Sequence, residues 1–313
     1  MKNEVGLKHI AIELGVSLTT VSRALSDAPD ISEAMKAKVR QKAIELRYTP
    51  NQFAKSLSTG RSNIVAIIVD SLVSPYFSLV VERMAREFKQ KGYSVILFPV
   101  VHAYTEKIDI TSVIGAGASG IITFLIPRTD AVEIANLSSR PILLFGRGCD
   151  HPNVNVLYTD DVQGGRIAAK YLQEKGHDKV LYLCGGVNEV SQYRYRGFQD
   201  YCREHGMECK EISEDEICKE YPGLFQEGYT GVFAFDDQMA SIFRWNYPEK
   251  GIDVVGFNGL RRYPTMPISY MGFPSISGDY DRMIEDAVSH ISEQMRDHSR
   301  TCVKIKYHVD LVE

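Results

Sequence analysis

Leu18, Thr19, Ser22 and Arg23 lie within two helical turns of one another, and their side chains can meet a base edge, a thymine methyl and a phosphate. An arginine can take guanine O6 and N7 through two parallel N–H donors, a contact carrying about 1–3 kcal/mol of discrimination. Such chemistry needs a rigid mount, and the flanking residues supply one. Leu7, Ile10, Ala11 and Leu14 recur at helical spacing, and Val21, Ala24 and Leu25 do so after them. Gly15 allows the positive φ of a tight turn between the two helices, and Ser17 offers a side-chain oxygen to cap the second. A helix, a glycine turn and a helix alone would describe any small bundle. Here the turn length, the cap, the apolar faces and the polar tip agree on a helix-turn-helix reader of DNA.

Charge supports that reading locally. The chain of 313 residues has a net charge of −4, unlike a protein that coats nucleic acid. Residues 1–61, however, hold ten Lys/Arg against six Asp/Glu, a net +4, while the remainder carries −8. A basic head on an acidic body confines phosphate attraction to one end. The length suits two or three domains, and 44% hydrophobic residues describe an ordinary globular protein. No apolar run approaches the ~20 residues of a membrane span, and no apolar signal core follows Met1. A cytoplasmic protein without a membrane partner is expected. The six cysteines form no C-x-x-C pair and read as reduced thiols.

Beyond the reader, a loop at 26–30 precedes a third helix over about 32–47, with Met35, Val39, Ala43 and Leu46 on one face. Pro50 stops it, because a residue before proline is pushed out of the helical region. Asn51 can cap a short helix from Gln52 to Ser58, ended by Gly60. Too short to be stable alone, this piece reads as a hinge that folds on DNA and offers Leu57 as an apolar wedge to the minor groove. The expected divisions are a headpiece over 1–50, a hinge over 51–61 and a body over 62–313. From Ile64 the period changes. Continuous apolar runs at 64–69, 95–98, 121–125, 142–145, 180–184, 232–235 and 254–257 read as strands buried on both faces of parallel sheets. Helical patterns at 77–90, 163–175, 194–205, 236–244 and 280–296 fall among them. The alternation predicts α/β layers in two doubly wound parallel-sheet subdomains. The first should take about 62–160 plus 278–298, and the second about 161–277 plus 299–313. Ligands of such sheets sit at the carboxyl ends of the strands.

These residues resemble the LacI/GalR family of bacterial transcription regulators along essentially the whole chain. In the headpiece the likeness rests on Gly15-Val16-Ser17, Thr20 to Leu25 and Tyr48-Thr49-Pro50-Asn51. In the body it rests on Ser74-Pro75-Tyr76-Phe77, Gly164-Gly165, Arg194 with Gly197-Phe198, Asp236 to Ala240 and Val255-Gly256-Phe257. The resemblance implies a homodimer, its headpieces on a pseudo-palindromic double-stranded DNA operator and its body resembling a periplasmic sugar-binding protein. The implied DNA-contacting set is Ser17, Leu18, Thr19, Thr20, Ser22, Arg23, Tyr48, Asn51 and Leu57. It further implies a small-molecule effector, a sugar or sugar derivative, between the subdomains. Tyr76 and Phe77 would stack on a ring face, and Arg194 would fork onto ligand oxygens. Asp160 and Asp236 match crossover and cleft-edge positions, where ionised oxygens accept from hydroxyls. Arg147 is placed there by its position after a buried strand. Many sugar-responsive members carry Asp where this chain has Asn258, and the segments 104–119 and 240–253 are shorter than usual.

Other chemistries find little footing. Gly115 to Gly120 spells G-x-G-x-x-G, but the glycines lead into the strand-like Ile121-Ile122-Thr123-Phe124-Leu125. A dinucleotide site needs the reverse context, so the run reads as a helix-to-strand turn and a nicotinamide oxidoreductase is set aside. Neither metal-ligand spacing nor a nucleophile elbow occurs, so no catalytic residue, cofactor or metal is expected. A small-molecule receptor with an incidental helical head is the rival from another class. The absence of an export signal and the capped helix bearing Arg23 count against it.

Overall fold

The computed structural model describes residues 6–48, 62–100, 109–186, 188–248, 251–263, 272–297 and 301–313, with the side chains of 214, 215 and 218–221 excepted. The expected hinge, with Asn51 and Leu57, lies outside the described residues. The chain divides into two compact units, Met1–Ser62 and Asn63–Glu313.

The first unit is a three-helix headpiece: α1 (Leu7–Leu14), α2 (Leu18–Leu25) and α3 (Glu33–Glu45). Gly15 sits at φ 64° and ends α1, its amide donating to the Ile12 carbonyl at 3.2 Å. The Ser17 hydroxyl then accepts from the Thr20 amide at 3.0 Å and starts α2. Ile10, Val21, Ala24, Val39 and Ala43 meet in one core, with Leu7, Leu14, Leu25, Met35, Leu46 and Tyr48 packed against it. The apolar face of each helix is thereby used up, and the polar face of α2 is left to solvent.

The second unit is built on two six-stranded sheets. The first sheet takes β1 (Ile64–Val69), β2 (Ser94–Pro99), β3 (Gly120–Thr123), β4 (Ile142–Phe145), β5 (Asn155–Thr159) and β11 (Lys304–Tyr307), in the order β11-β5-β4-β3-β1-β2, with all pairs parallel. The second takes β6 (Lys179–Cys184), β7 (Glu208–Ser213), β8 (Gly231–Ala234), β9 (Asp253–Phe257), β10 (Ser275–Gly278) and β12 (Val309–Val312), in the order β12-β10-β9-β8-β6-β7. Only β12 runs antiparallel there, against β10. Buried strands divide their side chains between two cores. Val65, Ile67 and Val69 of β1 face one cluster, and Ala66 and Ile68 face the other. Tyr182 and Leu183 of β6 part in the same way.

Helices α4 (Pro75–Gln90), α5 (Ile110–Gly115), α6 (Thr129–Leu137) and α11 (Tyr280–Asp297) serve the first sheet. Helices α7 (Asp161–Glu174), α8 (Glu189–Glu204), α9 (Glu214–Gln226) and α10 (Asp237–Asn246) serve the second. The chain passes between sheets three times: after β5, after β10, and between β11 and β12. The expectation that 299–313 belongs wholly to the second subdomain is therefore corrected. Lys304–Tyr307 pairs with β5 of the first sheet, and only Val309–Val312 joins the second. Strands β5, β7, β10, β11 and β12 were absent from the sequence reading. Polar residues interrupt their apolar runs, as in the edge segment Glu-Cys-Lys-Glu-Ile-Ser of β7. The G-x-G-x-x-G run occupies the turn from α5 to β3, since α5 ends at Gly115 and β3 begins at Gly120.

Candidate DNA-reading face and effector cleft

In the headpiece, Leu18, Thr19, Ser22 and Arg23 are all exposed on α2, while Val21 and Ala24 are buried beneath them. Ser17 and Thr20 are engaged with each other. The Ser17 oxygen caps the helix, and its distance to the Thr20 hydroxyl is 2.8 Å. Both therefore set the pitch of the reading face more than they extend from it. Tyr48 is half-buried against the headpiece core, its amide donating to the Ala43 carbonyl at 2.8 Å. Sequence reasoning missed the charges behind this face. Lys36 is buried, 2.7 Å from Glu33 and 3.1 Å from Asp27, and Arg40 reaches the same Asp27 oxygen at 2.9 Å. Asp30 takes Arg23, with Nη2 at 2.5 Å and Nε at 3.2 Å from one oxygen.

In the second unit, a cavity of about 70 Å³ lies where the carboxyl ends of both sheets meet. Six of the seven expected effector residues line it: Tyr76, Phe77, Arg147, Arg194, Asp236 and Asn258. All but Arg194, which lies within α8, are placed by an element end. Pro75, with its φ already fixed for the first helical turn, opens α4 and sets Tyr76 and Phe77 at the mouth of β1. Phe124 and Phe145 stand at the ends of β3 and β4 and extend this wall, with Phe77 and Phe124 centroids 5.2 Å apart and Phe124 and Phe145 5.3 Å apart. Tyr280, just past the β10 crossover, meets Tyr76 edge-on at 5.3 Å. Burial pushes both phenols above the usual tyrosine range.

Arg194 supplies the fixed positive charge. It is buried on α8, donating from Nε to Asp161 at 2.9 Å and from Nη1 to the Phe235 carbonyl at 2.5 Å. Its guanidinium also lies 3.5 Å from the Phe257 ring centroid. Burial pushes the Asp161 carboxyl up, against the pull of Arg194. Asp236 caps α10, accepting from the Met239 amide at 2.8 Å. Its neighbour Asp237 is fully buried, accepting from the Ser275 hydroxyl at 2.5 Å and the Leu260 amide at 2.7 Å. Burial pushes that carboxyl up to about 7. These two bonds pin the turn that carries Asn258 at φ 101°, a left-handed conformation uncommon outside glycine. The Tyr280 hydroxyl donates to the Asn258 side chain at 3.4 Å.

Arg147 follows β4 on the first-sheet side of the cleft, 3.5 Å from Asp70 and 3.8 Å from Glu189 at the start of α8 on the second-sheet side. Its charge spans the two halves. Asp160 is the seventh expected residue, and it does not line the cavity. Its carboxylate caps α7 through the Gln163 amide at 3.2 Å and pairs with Lys306 at 2.7 Å, facing a separate hollow beside Lys304 and Tyr193. The next residue, Asp161, turns toward Arg194 instead. Among the described residues, no group of three His, Cys, Asp or Glu side chains could hold a metal ion. None of the described helices is long and apolar enough to cross a membrane.

Residues 6–51 match the family model described as bacterial regulatory proteins, lacI family. Residues 62–226 match that of periplasmic binding proteins and the sugar binding domain of the LacI family. The chain is 26% identical over 334 residues to an HTH-type transcriptional repressor PurR from Pasteurella multocida, covering 98% of this chain and 96% of that one. It is 26% identical over 271 residues to a ribose operon repressor from Lactococcus lactis, covering 82% and 81%. Among solved structures, a lac repressor dimer bound to operator and an anti-inducer superposes with a TM-score of 0.80 at 21% identity, covering 99% of this chain and 98% of that one. A transcriptional regulator CelR–cellobiose complex does so at 0.65 and 18%, with the same coverage.

Proposed function

The chain belongs to the lacI family of bacterial regulatory proteins, and we propose that it is a cytoplasmic transcriptional repressor whose grip on a DNA operator is set by a small molecule in the inter-sheet cleft. The observation carrying this reading is the joint presence of two parts. One is a capped helix exposing Leu18, Thr19, Ser22 and Arg23; the other is a cavity at the carboxyl ends of the parallel strands of two sheets. A receptor without a DNA role has no use for the first part. A nicotinamide oxidoreductase would need a glycine turn opening a helix, and the glycine run here closes one. No enzymatic step is assigned.

Two copies of the chain place two headpieces on the half-sites of a pseudo-palindromic operator; the lac repressor on which the chain superposes is a dimer bound to operator. In each, Arg23 takes a guanine edge, and Leu18 and Thr19 read the neighbouring bases. The hinge at 51–58 then presents Leu57 to the minor groove. The effector proposed is a carbohydrate. Tyr76 and Phe77 offer faces to the C–H side of a ring, while Arg194, Asp236 and Asn258 bond its hydroxyls. The cavity, about 70 Å³, lies between the two sheets, so their relative closure sets the room a ligand has. A ligand that binds one degree of closure better than another shifts the balance between them, and only such a ligand regulates.

Gel shifts of the full-length protein against genomic fragments, with competitor DNA, test the reader. Binding without sequence preference would end the repressor assignment. A thermal-shift screen of sugars, sugar phosphates and nucleobases tests the effector class, because a ligand bound to the native state raises apparent stability. Stabilisation by nucleobases alone would replace the carbohydrate with a planar heterocycle.

A further inference from the structure

The hydrogen bond between Arg23 and Asp30 is asymmetric. Asp30 uses a single oxygen, Oδ1, and meets Nε and Nη2, the side edge of the guanidinium. Among the described residues Asp30 is the only hydrogen-bond partner of the Arg23 side chain, so its end-on edge, Nη1 and the outer hydrogen of Nη2, stays open. Both side chains are about half exposed, at 50% and 54%. Exposed ion pairs contribute little to folding stability, so fold maintenance is a poor account of this one.

The acceptor is itself held. Asp30 lies in the loop between α2 and α3, where the Ala28 amide donates to the Arg23 carbonyl at 3.0 Å and the Ile31 amide to the Ala28 carbonyl at 3.2 Å. Asp27, at φ 59°, anchors the same loop to α3 through Lys36 and Arg40. Asp30 is therefore a fixed oxygen beside a long, flexible side chain. The bond from Arg23 holds its carboxyl below the usual aspartate range.

We infer that Asp30 is a positioning residue for DNA specificity, buttressing the side edge of Arg23 so that its end-on fork alone is presented to DNA. Two effects follow. The fork is ordered before it meets guanine O6 and N7, which lowers the entropy lost on specific binding. The charge is also neutralised locally and a carboxylate stands close to the backbone, which weakens sequence-blind attraction to phosphate. Both effects widen the gap between operator and random DNA. The inference rests on the assignment of Arg23 as a base reader.

The test uses full-length protein, an operator selected with the wild type from random duplexes, and a scrambled duplex of equal composition. Fluorescence anisotropy gives both affinities across a salt series. Asp30→Ala should tighten scrambled binding, lower the operator-to-scrambled ratio by about tenfold, and steepen the salt dependence by about one unit per headpiece. Asp30→Asn keeps a neutral acceptor and the side chain's shape, so it should give an intermediate ratio with the same steepened slope. It also carries the test should the alanine variant melt early. A ratio unchanged within twofold, or equal losses on both duplexes, overturns the buttress. Arg23→Ala separates the two ideas. If operator preference survives it, the reader assignment is wrong; if preference collapses there but not in either Asp30 variant, only the buttress is.

Discussion

Arg194 donates from Nε to Asp161 at 2.9 Å, and the two side chains are only 6% and 5% exposed. Asp161 opens α7 directly after the chain leaves the first sheet, and Arg194 lies midway along α8. The pair thus locks a crossover to the cleft wall. Removing one partner of a buried pair strands the other charge, at a cost of roughly 3–5 kcal/mol. Arg194→Ala should lower the urea unfolding free energy of the body by that order. The double variant Arg194→Met with Asp161→Asn should recover most of the loss. A single-variant loss under about 1 kcal/mol would mean that water, not Arg194, satisfies Asp161.

A glycine contact fixes the same two helices. A Cβ on Gly197 would stand 1.8 Å from the Val162 carbonyl oxygen, and one on Gly165 would stand 2.0 Å from the Arg194 carbonyl oxygen. Backbone cannot yield as a side-chain tip does, so Gly197→Ala should cost at least about 2 kcal/mol. Arg194 is three residues away, so effector affinity should fall as well. Gly223→Ala is the control, with open space around the site and a helical backbone. It should leave stability unchanged or raise it by about 0.5 kcal/mol. Equal melting temperatures for the Gly197 variant and wild type would refute the close crossing.

Asp237 gives the body a pH dependence of defined sign. Burial pushes its folded carboxyl up to about 7 from the ordinary aspartate value of 3.8. Between those values the native state binds more protons than the unfolded chain, so stability falls as pH rises through the window. Asp237→Asn should abolish that slope. The Ser275 hydroxyl can turn to accept from the amide while the Leu260 amide keeps its oxygen. Unfolding free energies from about pH 4 to 8 should converge at the acid end, and the variant should be the more stable near neutrality, by up to about 4 kcal/mol. Parallel curves would place the titration elsewhere.

The parts most legible in the sequence are those where one local pattern suffices. Gly15, Ser17 and the apolar face of Val21 and Ala24 define the reader within nineteen residues. The uninterrupted run Ile64–Val69 announces a strand buried on both faces. Most of the legible cleft residues sit at an element end; Arg194, inside α8, was legible through its place before Gly197-Phe198. Tyr76, Phe77, Arg147, Arg194, Asp236 and Asn258 line the cavity, whereas the Asp160 carboxylate caps α7 and pairs with Lys306, and its neighbour Asp161 binds Arg194. Tyr280, Phe124 and Phe145 escaped notice because each reads as ordinary core until the strand order brings them together. The division of the tail between sheets was likewise hidden, since Lys-Ile-Lys-Tyr carries no sign of which edge it will join. Nor does any periodicity link Arg23 to a carboxylate seven residues on.

Arg147 is shared by Asp70 and Glu189 across the cleft, and the distances rank the two contacts. Glu189 is 55% exposed and 3.8 Å away, a geometry in which exposed pairs contribute less than about 1 kcal/mol. Asp70 is closer and largely buried, and its second oxygen, Oδ1, has no partner among the described residues. Burial pushes the Asp70 carboxyl up, and Arg147 opposes that push. Glu189→Gln should therefore leave stability within about 0.5 kcal/mol and effector affinity within about threefold of wild type. Arg147→Met should behave otherwise. Without the guanidinium, the folded Asp70 carboxyl rises further above its unfolded value, so the variant loses stability as pH rises through that window. The gap in urea midpoint between this variant and wild type should be smallest at acid pH and widen toward neutrality, because the charge that Arg147 answers is present only when Asp70 is ionised. A gap independent of pH would show that Arg147 stabilises the cleft by packing rather than by answering the charge on Asp70.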